Sequence, residues 1–70
     1  MPTEIDVPKN SADRVRKWRG AYRLTLLDLG ARTKLGYERT LEIERGKKPP
    51  TAREWARIVK VMPEVANGPT

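Results

Sequence analysis

The sequence predicts a small all-α domain of four helices, and three observations carry that prediction. Its 70 residues leave room for one domain only, because single domains usually run to about 100 to 200 residues. Apolar residues recur at three- and four-residue spacing in separate short stretches, the period of a helix face rather than of a strand. Between those stretches stand Thr25, Gly36, Gly46, Pro49-Pro50 and Thr51, the residue types that start and stop helices.

Residues 1–10, with Pro2 and Pro8 and no periodic apolar face, read as a flexible N-terminal arm. Asn10 or Ser11 then offers a cap, and Val15, Trp18 and Tyr22 follow at helical spacing, so helix one is expected over Ser11 to Tyr22. Thr25 with Asp28 three residues on resembles a capping box, which starts helix two; it ends near Thr33. Gly36 can cap helix three, Tyr37 to Arg45, and Gly46 is a left-handed stop. Leu35, Thr40 and Ile43 form its expected core stripe. Thr51 and Glu54 form a second capping box opening helix four, Ala52 to Met62, whose Trp55, Ile58, Val59 and Met62 lie on one stripe until Pro63 closes it. The domain is therefore expected over residues 11–63, with 64–70 as a C-terminal tail carrying too few apolar residues for a further helix.

Composition narrows the function. There is no cysteine and no histidine, which removes disulfides, thiolate metal sites and the commonest general base and metal ligand. A chain this short buries only about 60% of its unfolded surface, too little for a deep substrate cavity beside a separate core. With nine acids mostly on expected helix surfaces, we expect no enzyme, no catalytic residue, no metal and no cofactor. No apolar run reaches membrane-span length and the first ten residues lack the order of a secretion signal, so a cytoplasmic protein without a membrane partner is expected. The formal net charge is +6; because each ten-residue flank is net negative by one, the middle fifty residues carry +8. Such a field attracts polyanions, phosphate backbones above all.

The stretch LTLLDLGARTKLGYERTLEIERGKKPPT, Leu24 to Thr51, with its capped Leu24-Thr25 and terminal IERGK at Ile43 to Lys47, resembles the lambda-repressor and Cro-like helix-turn-helix proteins, also called the Xre family. The resemblance extends over Val15 to Met62. It implies a four-helix DNA-binding domain in which helices two and three form the helix-turn-helix and helix three enters the major groove. By that carry-over Tyr37, Glu38 and Glu42 occupy base-facing slots, with Arg39 alongside. Chemically, Arg39 can donate twice to guanine, either acid can accept from the cytosine amino group, and Tyr37 can meet phosphate or a thymine methyl. Thr25 at the start of helix two resembles the family's phosphate-facing cap; Lys47, Lys48 and Arg53 are placed to clamp the backbone. Arg19 and Glu44 match positions that form an internal ion pair. The implied protein is a small Cro-like or phage-type repressor acting by promoter occlusion on an operator in double-stranded DNA. It would be bacterial or phage-encoded and nucleoid-associated, with no room for an effector domain after helix four, and a homodimer or a dimer formed only on DNA.

Three positions depart from the family pattern. Lys34 stands where the turn usually has Gly, at a cost of roughly a kcal/mol if φ is positive. Gly30 replaces an Ala at a tight site, fitting the space but weakening the helix by up to about 1 kcal/mol. Thr40 replaces an apolar residue, so either its hydroxyl bonds a backbone carbonyl in the core or the helix is rotated. Leu26, Leu27 and Leu41 stand where exposed apolar surface would suit a protein partner. The alternative function is therefore an interaction module on the same fold, as in an antitoxin or an RNA polymerase accessory factor.

Overall fold

The structure is a computed structural model that describes residues 7–66. It is all-helical, with α1 (Ser11–Ala21), α2 (Leu26–Thr33), α3 (Tyr37–Arg45), α4 (Ala52–Val61) and a closing 3-10 turn (Pro63–Ala66). No strand occurs among the described residues. Residues 1–6 of the expected arm and 67–70 of the expected tail lie outside the described residues.

Each helix ends for a local reason. At the end of α1, Arg23 enters the left-handed region at φ 58°. Its N–H donates to the Gly20 carbonyl and that of Leu24 to the Arg19 carbonyl, both at 3.0 Å, a Schellman closure built without glycine. Tyr22 caps α1 rather than belonging to it. Both capping boxes form: Thr25 with Asp28 at α2, and Thr51 with Glu54 at α4. The N-cap of α1 is Asn10, but its side chain caps nothing; its Oδ1 accepts instead from Arg14 Nε at 2.9 Å. Gly46 stops α3 at φ 74°, and α4 stops at Val61, one residue short of the expected Met62.

Val15, Leu29, Ile43, Trp55, Ile58, Met62 and Val65 make the core, with Val7, Trp18, Leu24, Leu35, Val59 and Val61 packed around it. α3 packs against α2 and α1, while α4 packs against α2 and the 3-10 turn. Thr40, 2% exposed, resolves its polar burial by donating Oγ1–H to the Gly36 carbonyl at 2.7 Å, so the expected core stripe of α3 holds without rotation.

Two expectations at the ends of the domain are corrected. The tail is not separate through its first residues: Val65 is fully buried, and its carbonyl accepts from Arg14 Nη1 at 2.9 Å. A four-residue 3-10 turn shows no helical periodicity, yet Val65 fills the core beside α1 and α4. At the other end, Val7 packs on the core and the Pro8 carbonyl accepts from the Ser11 N–H at 3.1 Å, so the arm is anchored at its last residues. Tyr22, at helical spacing with Val15 and Trp18, is nevertheless 39% exposed, and its hydroxyl donates to the Glu64 carboxylate.

The α2–α3 junction is closer than a side chain allows. A Cβ on Gly30 would stand 2.7 Å from the Gly36 carbonyl carbon and 2.9 Å from both the Gly36 oxygen and the Tyr37 nitrogen. Alanine therefore does not fit at residue 30; the glycine is required by the approach of two backbones. The turn between them is held by Lys34 in the left-handed region, φ 63° and ψ 20°, and by the Gly36 N–H donating to the Gly30 carbonyl at 3.1 Å.

Candidate nucleic-acid interface

α3 is fastened by two ion pairs to two different helices. On the α1 side, Arg19 Nε and Nη2 grip the two Glu44 carboxylate oxygens at 2.6 and 3.1 Å, a bidentate fork. Arg19 Nη1 also reaches the Leu24 carbonyl at 3.0 Å, and Arg16 donates to the Glu44 carbonyl. Glu44 is buried, at 5%. Arg19 and Glu44 are thus the internal pair that the sequence resemblance implied.

On the α4 side the structure corrects the reading of Arg39. Its Nε and Nη2 hold the two Glu54 oxygens at 2.9 and 2.7 Å. Nη1 donates to Glu42 Oε1 and to the Lys48 carbonyl, each at 3.2 Å, and Nη2 donates to the Pro49 carbonyl at 3.1 Å. A guanidinium has five N–H donors, and these five bonds use them all. Its side chain is only 22% exposed. Arg39 therefore does not offer a base-reading fork; it ties α3 to α4 and to the loop carrying Lys47 and Lys48. The same contact, with the Thr51 amide, holds the Glu54 carboxyl down at about 2.

The outward surface of α3 carries the remaining expected base readers. Tyr37 is 47% exposed and Glu38 is exposed; neither takes part in an ion pair among the described residues. Glu42 stands one turn on, its side chain 43% exposed and one oxygen taken by Arg39. Leu35, Gly36, Tyr37, Glu38, Arg39 and Glu42 border a shallow depression of about 600 Å³.

The expected phosphate contacts are distributed around α3. Lys47, Lys48 and Arg53 are exposed and make no ion pair among the described residues. The cap of α2 is partly filled by the protein's own acid. The Thr25 N–H donates to Asp28 Oδ2 at 3.1 Å and the Asp28 N–H to Thr25 Oγ1 at 3.0 Å. The bond from the Thr25 amide pulls the Asp28 carboxyl below its ordinary pKa. The first-turn amides outside the box are those of Leu26 and Leu27.

One feature lay beyond the sequence reading. Arg32, Lys34, Arg57 and Lys60 line a second cleft of about 450 Å³ where α2 and α4 end; cations there complement the negative helix termini. The expected apolar surface is smaller than anticipated, because Leu26 and Leu41 are half-buried and only Leu27, at 67%, is largely exposed. Among the described residues, no three acidic side chains gather as a metal site, and no helix is long and apolar enough to cross a membrane. No family model, curated protein or solved structure matches this chain.

Proposed function

We propose that α2 and α3 form a helix-turn-helix of the lambda-repressor and Cro-like kind, and that the protein binds double-stranded DNA sequence-specifically as a small transcriptional repressor acting by promoter occlusion. The observation that carries this reading is the setting of α3. Its inner side is fixed by Glu44 to α1 and by Arg39 to α4, while Tyr37 and Glu38 face outward. Exposed cations stand at both ends, Lys34 before α3 and Lys47 and Lys48 after it. A helix of this width fits a major groove, and a rigid mount keeps side-chain tips in register with base edges. The backbone contacts fall to Lys47, Lys48 and Arg53, with the Leu26 and Leu27 amides and the Thr25 hydroxyl at the α2 cap. A homodimer on a palindromic operator completes the proposal.

Selection of bound sites from a random duplex library, followed by titration over salt, tests it. Enrichment of one motif, with affinity falling steeply as salt rises, is the expected result. The 67% exposure of Leu27 supports a second reading, docking of a protein partner; weak or absent DNA enrichment together with a salt-insensitive protein complex would favour it.

A further inference from the structure

The commitment of Arg39 changes what α3 has left to read with. Once its five donors are spent on Glu54, Glu42 and two loop carbonyls, the outward tips of the first two turns are the phenol of Tyr37 and the carboxylates of Glu38 and Glu42. Glu42 already accepts from Arg39 through one oxygen. Glu38 is exposed and enters no ion pair among the described residues. It borders the depression that Leu35, Gly36 and Tyr37 also line. Of the charged side chains bordering it, Glu38 and Glu42 offer acceptors, while the donors of Arg39 are already engaged.

We infer that Glu38 is the specificity-determining residue of this face and reads a base that presents a hydrogen-bond donor in the major groove, the exocyclic amino group of cytosine. The inference rests on the proposed DNA-binding function and adds the base class to it. Cytosine shows only an N4 donor on that edge, whereas guanine shows two acceptors, N7 and O6, and thymine an O4 acceptor beside a methyl. An acceptor-only carboxylate is therefore matched to cytosine and repelled by guanine and thymine. Adenine pairs its amino donor with the N7 acceptor, which a carboxylate opposes and an amide satisfies. Selectivity thus arises from rejection as well as attraction: two acids held near a polyanion weaken every site lacking a donor at the matching place.

The test compares sites selected from a random duplex library by the wild-type chain and by Glu38→Gln, an exposed, nearly isosteric change. The wild type is expected to enrich cytosine at one position, and Glu38→Gln to convert that position to adenine while leaving the others alone. In the wild-type site, replacing that cytosine by a 2-pyrimidinone analogue that lacks the amino group should weaken binding roughly ten-fold, and should weaken the Glu38→Gln protein far less. A Glu38→Gln motif identical to the wild type, or an analogue that binds wild type as well as cytosine does, would overturn the inference while leaving DNA binding intact. Enrichment of no duplex by either protein, with both showing the same helical circular dichroism and thermal midpoint, would overturn the proposed function and this inference with it.

Discussion

Arg39 shows how a single side chain changes role between sequence and structure. As the one arginine in the early turns of α3 it reads as a guanine fork, because nothing local reveals that Glu54, fifteen residues on, and the Lys48 and Pro49 carbonyls converge on it. Its replacement should accordingly act on stability. Arg39→Ala leaves Glu54 without its ionic partner and two loop carbonyls without donors, and is expected to cost about 2 to 4 kcal/mol in urea unfolding, with no change in preferred base at one isolated position. Gly30 is the opposite case, where a helix-weakening residue is the only one that fits. Gly30→Ala should gain up to about 1 kcal/mol of helix propensity but lose more to the 2.7 Å collision with Gly36. A net destabilisation of about 1 to 3 kcal/mol is expected, read as a lower thermal midpoint; a raised midpoint would show that the junction gives way.

At the scale of elements, local chemistry was legible from spacing, and of the distant contacts only the Arg19–Glu44 pair was anticipated, through the family resemblance. Thr25 with Asp28 and Thr51 with Glu54 are read from spacing alone, and both boxes form; the start of α3 at Tyr37 and its Gly46 stop are likewise written in neighbouring residues. The 3-10 turn was not legible, because Val65 owes its burial to α1, far away in sequence, as well as to the adjoining α4. Nor was the double use of Glu54, which caps α4 and pins α3 at once. That double use makes the α3–α4 tie sensitive to acid. The folded-state value of about 2 lies below the ordinary 4.5, so the contribution is fully present above about pH 4.5. It is lost as pH falls through about 2. After allowance for solvent screening at a side chain still 22% exposed, it is about 1 to 2 kcal/mol. Urea midpoints measured from pH 6 down to pH 2 should fall less for Glu54→Gln than for the wild type. Parallel curves would remove Glu54 from the account.

For the whole molecule, internal pairing leaves the net charge of +6 unchanged, and among the described residues Glu42, Glu44 and Glu54 on α3 and α4 are ion-paired by Arg19 and Arg39 alone. This leaves the surplus on exposed residues such as Lys47, Lys48 and Arg53. If Lys47 meets a phosphate as proposed, Lys47→Ala should weaken all duplex sequences alike and lower the slope of log K against log salt by about 1. An altered sequence preference would instead place Lys47 at a base edge.

The touching backbones of Gly30 and Gly36 have a mechanical consequence. Where side chains separate two helices, a rotamer hop lets one roll slightly on the other; at this point of approach the spacing is set by backbone against backbone. α2 and α3 should therefore turn together, so that a torque applied at the Thr25 end is carried toward Tyr37 and Glu38.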